Sequence, residues 1–302
     1  MSNRPTFLAF PALLACLAAL TLAAASPALA RPGLDAKMQD DGVTILEDEK
    51  PILFYRTKPA DPQGQPGRAN YIHPLYAPDG STELTEDGAH DFPEQRGLFW
   101  AWRKVMLDGQ PVADGWGMSG LIYVVKETRF SGEADGSADL TLTVDWIVSS
   151  RPEVVYVALE TTVVHVAPLK DGVRRISIDT TITPKVDGLS IAGSDDGRDY
   201  GGFAMRLVQG DQLAFASGGK ALIPATGAVA PGATVGMAWT KGSGPDWTLA
   251  VSCQANGAAL THWVLRKTAS MQNCAFPGRT PVAIAKGQDL RLQATLVIRP
   301  RA

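Results

Sequence analysis

From Asp139 to Val148 side chains of opposite character alternate. Leu140, Leu142, Val144, Trp146 and Val148 fall on one side, and Asp139, Thr141, Thr143 and Asp145 on the other. A period of two with one apolar side is the pattern of a half-buried strand, and no helix brings those five apolar residues to one face. Residues 173–183 repeat it with Ile176, Ile178 and Ile182, and Leu290, Leu292, Ala294, Leu296 and Ile298 repeat it near the C-terminus. Residues 43–47 and 51–56 read as a first hairpin, and 120–130 as a further strand. Residues 153–166 are apolar on both sides, which predicts a central strand between two packed layers. Residues 31–41 are polar and read as loose. No stretch of ten or more residues has helical periodicity, and Gly/Pro/Asp turns separate the strands. The expectation is all-β: one large antiparallel β-sandwich over residues 43–302, with 139–148, 153–166 and 173–183 as consecutive neighbours.

The N-terminus is set apart. One charge precedes an almost wholly apolar run over residues 6–25, and Ala28-Leu29-Ala30 forms an A-x-A site. This reads as a secretory signal peptide over residues 1–30, and the chain is expected to be periplasmic or secreted. A membrane anchor is the competing reading of the run, but Pro11 lies within it and no basic flank follows. Removing thirty residues from 302 leaves 272, and losing Arg4 takes the net charge from −3 to −4. With no basic stripe, nucleic acid is not an expected partner, and no membrane insertion is expected after cleavage. Cys16 leaves with the signal. Cys253 and Cys274 remain, and in an oxidising compartment they are expected to form one disulfide.

Several strings are weighed against plainer readings. Gly115-Trp116-Gly117-Met118-Ser119-Gly120 fits G-x-G-x-x-G, but a β run follows it where a dinucleotide site needs a helix. A tight turn is the expected role, and no cofactor is expected. His165 reads as a hydrogen-bonded core or rim histidine. Glu160, in an apolar strand, reads as a paired buried acid or one facing a cavity. Trp239, Trp247 and Trp263 read as core.

The segment 70–102 concentrates the unusual chemistry. It holds His73, His90, Asp87, Asp91, Glu94, Arg96, Trp100 and Trp102 without a long apolar repeat. Functional groups collect on such excursions because a rigid scaffold holds them at a cleft. Tyr71-Ile72-His73-Pro74-Leu75-Tyr76-Ala77-Pro78-Asp79-Gly80 resembles the signature of a bacterial family labelled methane-oxygenase PmoA-like, better described as a domain of unknown function. A second family signature, D-H-P-H-H-R-G-L, is similar to Asp91-Phe92-Pro93-Glu94-Gln95-Arg96-Gly97-Leu98. The likeness continues through Trp116, Ile178-Asp179, Gly201–Arg206 and Thr261–Arg266. The family's three histidines correspond to Phe92, Glu94 and Gln95. A metal or proton-transfer role therefore does not carry over to Phe92 or Gln95, and no tightly held metal is expected. Glu94 retains the capacity of a ligand or base.

The resemblance implies a fold similar to the galactose-mutarotase supersandwich and an association with carbohydrate metabolism, which is a statement about lineage rather than about a site. Two functions follow. One is a glycan-active hydrolase, lyase or epimerase, with His73, Asp91, Glu94 and His262 as catalytic candidates. Arg96, Trp100, Trp116, Arg206 and Arg266 are then the substrate-binding candidates. The other is a non-catalytic glycan-binding or scaffolding sandwich that has lost the histidine site. Either way the expected partner is a small molecule or oligosaccharide.

Overall fold

A computed structural model describes residues 1, 33–59, 67–88, 92–150, 153–210, 213–239, 246–268 and 271–301. The proposed signal sequence lies outside the described residues. Pro32–Ala302 forms one compact unit. None of its described residues is helical, and the strands build three antiparallel sheets.

The largest sheet runs Lys220–Leu222, Ala214–Ser217, Thr234–Trp239, Trp247–Ala255, Leu290–Pro300, Arg174–Pro184, Val155–Val166, Ala138–Val148 and Leu121–Gly132, with Ala258–Ala259 paired to Trp247–Ala255. The three strands expected as neighbours are antiparallel neighbours, with Glu160 opposite Val144 on one side and Ile182 on the other. The second sheet runs Leu34–Gln39, Gly42–Glu47, Lys50–Arg56, Tyr71–Leu75, Leu98–Trp102, Gly201–Arg206, Met271–Ala275 and Trp263–Val264. A four-stranded sheet of Val282–Ala283, Leu189–Ala192, Lys104–Leu107 and Gln110–Ala113 completes the fold.

The apolar sides of the two large sheets meet in one core. Trp102 from one sheet packs on Trp146 from the other with ring centroids 5.7 Å apart, and Tyr123 meets Trp146 edge-on at 5.5 Å. Truncating rings buried this completely costs roughly 3–5 kcal/mol in typical cores. A polar cluster lies between the same sheets. Glu160 Oε1 accepts from Asn70 Nδ2 (2.9 Å) and the Thr162 hydroxyl (2.8 Å), Oε2 accepts from Trp146 Nε1 (2.8 Å), and the Tyr55 hydroxyl donates to Asn70 Oδ1 (2.7 Å). Glu160 is the paired buried acid that its strand pattern implied. Burial pushes its carboxyl above the usual range, against the pull of those three hydrogen bonds.

Three expectations are corrected. Leu34–Gln39, read as loose, pairs with Gly42–Glu47 as the outermost strand of its sheet. Leu34 and Ala36 pack against the core and the other side chains are exposed, so backbone pairing with a small apolar contact holds a largely polar sequence at the sheet edge. Val155–Val166, read as packed on both sides, buries only Ala158, Glu160, Thr162, Val164 and Val166 in alternation, beyond an irregularity at Tyr156/Ala158 that also brings Val157 inward. Its other side stays half-covered because Val and Leu suit a strand whether or not a layer covers them. His165 stands on that outer side, 2.7 Å from Asp139.

The third correction concerns the cysteines. Cys253 lies in the largest sheet and Cys274 in the second, both buried in the core, and they are free thiols. Burial, followed by the hydrogen bond and proximity of Cys274, pushes the Cys253 thiol well above its ordinary range. A thiol so held stays protonated and is a poor nucleophile for disulfide chemistry.

Candidate active site on the outer face of the second sheet

Strand parity decides which side chains of the second sheet face away from the main core. Trp100, Trp102, Phe203 and Cys274 point into the core, so Phe99, Ala101, Ala204 and Met271 point outward. On this outer side Tyr71, Phe99, Ala101, Ala204 and Met271 form a small apolar cluster completed by Trp116.

Trp116 comes from the turn that joins Gln110–Ala113 to Leu121–Gly132, the string that fits G-x-G-x-x-G. It serves as a tight turn, bridged between Asp114 and Ser119. Asp114 Oδ1 accepts from the Gly117 N–H at 2.7 Å, and Oδ2 pairs with Arg103 at 3.1 Å. A Cβ on Gly117 would lie 2.6 Å from Asp114 Oδ2, so a side chain there would push the Asp114 carboxylate off this cap. Burial holds the Asp114 carboxyl above its usual range despite these donors. Beneath the turn, the buried Arg68 donates from Nη2 to the carbonyls of Gly115 (3.1 Å) and Trp116 (2.7 Å). Its guanidinium lies 4.0 Å from the centre of the Phe99 ring. Burial lowers its pKa to about 10, which leaves it cationic at neutral pH.

A cleft of about 1130 Å³ opens over this cluster. Trp116 stacks on Tyr200 at 5.1 Å, and the Arg266 guanidinium lies 5.7 Å from the Tyr200 ring centre. Four segments make the walls: Phe92 to Gln95, Ser194 to Tyr200, Ile223 to Thr226, and Leu265 to Thr268. Most of the charges there are internally matched. Lys104 pairs with Asp195 at 2.5 Å. Asp196 accepts from the Ser194 hydroxyl (2.6 Å) and the Arg198 N–H (3.0 Å). Burial opposes the charge on Asp196, but these hydrogen bonds, with Arg198 and Arg103 nearby, hold it below the ordinary range. Glu94 differs. Its half-buried carboxylate lines the cleft with no hydrogen bond or ion pair among the described residues.

The residues named from sequence divide sharply. Glu94, Trp116 and Arg266 line the cleft together. Trp100 is in the core instead, tilted against Phe203 at 5.2 Å, because the register that sends Phe99 outward sends Trp100 inward. Arg96 is fully buried. Its Nε donates to the Pro93 carbonyl at 2.8 Å, and Nη1 lies 3.7 Å from Asp87 Oδ1. Arg206, also buried, donates from Nε to Glu86 and from Nη1 to Gln95 Oε1, both at 2.8 Å. Both arginines therefore brace the loop that carries Glu94 and Gln95, and neither lines the cleft. His73 is half-buried against the Thr85 hydroxyl at 3.0 Å, away from the cleft, and burial lowers its pKa. His262 is exposed beside a separate cavity of about 240 Å³ with Asp199 and Arg279. Asp91 and His90 lie outside the described residues. Among the described residues no group of three or more His, Cys, Asp or Glu is placed to hold a metal.

Sequence reading missed Tyr200, the Ser194–Arg198 turn, Arg103, Lys104 and Lys267. The dense run Ser194-Asp195-Asp196-Gly197-Arg198-Asp199 carried a usable signal, since so many charges on a Gly turn between short strands mark an exposed, site-forming loop.

No curated protein matches the chain. Nothing in the family comparison links it to PmoA. The model that does match covers residues 42–302, and the chain belongs to DUF6807, a family of unknown function.

Proposed function

We propose that this is an exported carbohydrate-binding protein whose ligand occupies the cleft over Trp116 and Tyr200. The observation that carries the reading is the cleft itself. It has the volume of a ligand site, an aromatic column in its wall, and polar groups converging from four loops on a rigid sheet. Saccharides suit such walls, because ring C–H faces pack on aromatic side chains while hydroxyls meet charged and amide groups. Export rests on the apolar run and the A-x-A site at the N-terminus. N-terminal sequencing of the protein recovered from outside the cytoplasm should begin at Arg31, and a protein found only in the cytoplasm with Met1 in place would remove the export reading.

The test of binding is a glycan panel read by thermal melting. At least one saccharide should raise the melting temperature of the native chain, and Tyr200→Ala should abolish that shift while the protein remains folded. A panel with no response, or a response unchanged in Tyr200→Ala, would sink the proposal.

A second reading, a glycan-active enzyme, is favoured by one observation: Glu94 is an unmatched carboxylate in the cleft. It is the group there placed to take or give a proton without first breaking an ion pair. Under this reading a responding saccharide is converted by the native chain, and Glu94→Gln binds it without turnover.

A further inference from the structure

The wall charges of the cleft cancel unevenly. Asp195 is matched by Lys104, Asp196 by Ser194 and Arg198, and Arg103 by Asp114. Arg266, Lys267 and Glu94 are left over. Among the described residues the Arg266 guanidinium meets no carboxylate. It donates from Nη1 to the carbonyls of Ala225 (2.8 Å) and Leu265 (2.9 Å), and from Nη2 to that of Thr226 (2.7 Å). These bonds take three of the five N–H donors of an arginine and leave Nε–H and one Nη2–H without an acceptor among the described residues. Its backbone is fixed as well: the Arg266 N–H donates to Gln272 Oε1, and its carbonyl accepts from Gln272 Nε2. The next residue, Lys267, is exposed, and its ammonium has no partner among the described residues.

A rigid cation with two unused donors, beside a free ammonium, matches an anionic oxygen pair. Carbonyl oxygens position Arg266 without neutralising it, so little reorganisation is needed on binding. We propose that the cleft selects an acidic saccharide and seats its carboxylate, such as that of a uronic acid, on Arg266 and Lys267. The inference rests on the carbohydrate reading above. Glu94, of the same charge as the ligand, then faces neutral parts of the sugar.

The experiment is calorimetric titration of the full mature chain with matched pairs: glucuronate against glucose, galacturonate against galactose, and their short oligomers. Acetate and inorganic phosphate serve as sugar-free anions. The acidic member of a pair should bind at least about tenfold more tightly at low salt, as expected for a charge-assisted contact. The preference should shrink in roughly 0.5 M salt, where exposed charges are screened. Lys267→Gln, at an exposed position outside the core, should reduce the preference several-fold. Arg266→Lys should remove most of what remains. Equal affinity for acidic and neutral members overturns the acidic assignment and leaves the carbohydrate reading standing. Binding of phosphate or acetate that Lys267→Gln weakens, without binding of any sugar, overturns the carbohydrate reading and keeps only an anion subsite. No binding of either kind overturns both.

Discussion

At the residue scale the most demanding side chain is Glu160. Asn70, in the bend before Tyr71–Leu75, and Trp146, in Ala138–Val148, point N–H donors at its carboxylate, and among the described residues neither donor has a second acceptor. Glu160→Ala leaves these donors facing an apolar gap and should lower stability by roughly 2–4 kcal/mol in urea unfolding. Glu160→Gln should cost less, because Asn70 can reverse its amide and the Tyr55 hydroxyl can change from donor to acceptor to accommodate the new NH₂. The pH dependence has a definite sign. The folded pKa is raised by burial. Within the pH range above the unfolded value of roughly 4.3 and below the folded value, the native state holds a proton that the unfolded state has lost. Glu160's contribution is therefore full below that unfolded value and declines as pH rises through the folded one. Glu160→Gln should flatten this decline, and an unchanged pH profile would show that the carboxyl titrates normally.

At the element scale the loop leading into Leu98–Trp102 is held by two buried arginines. Arg96 ties it back on itself through the Pro93 carbonyl, and Arg206 reaches across from the neighbouring strand to Gln95 and Glu86. The guanidinium fork is needed because a buried ammonium cannot reach two such partners in fixed directions. Arg96→Ala should lower stability by roughly 1–3 kcal/mol and expose residues 92–97 to limited proteolysis. A variant with native stability and native resistance would show that the loop is held by other contacts. The surviving R-G-L string in the second signature is thus a brace. Its Arg was recognisable as important from sequence, but a guanidinium beside Asp and Glu reads alike whether it grips a ligand or a loop. Gly97 belongs to the same device: its φ is +44°, and a Cβ there would lie 2.0 Å from the Ile72 carbonyl oxygen.

At the scale of the whole molecule one core joins two sheets, and Cys253 and Cys274 meet across it as thiols. The native protein should resist thiol reagents, and the denatured, unreduced protein should titrate two thiols; a count of zero would show that the pair oxidises. The alternating runs at 139–148, 173–183 and 290–298 determined by themselves that these segments are half-buried strands of an all-β fold, since a two-residue period brings the apolar side chains to one side of a strand and not of a helix. The sequence narrowed Glu160 to a paired acid or one facing a cavity, because an unpaired buried carboxylate is too costly, and the tertiary structure decided for the first by bringing Asn70, Trp146 and Thr162 to it. Which aromatic of Phe99-Trp100-Ala101-Trp102 points to the outer side of the sheet, against Trp116, was decided by tertiary structure alone, because a one-residue shift of register reverses every side chain. The grouping of Glu94 with Trp116, Tyr200 and Arg266, and the exclusion of His73 and His262, was decided in the same way. Those residues are far apart in the chain, and pairing between distant strands, which no local pattern encodes, brings the first group to one face of one sheet and leaves the two histidines elsewhere.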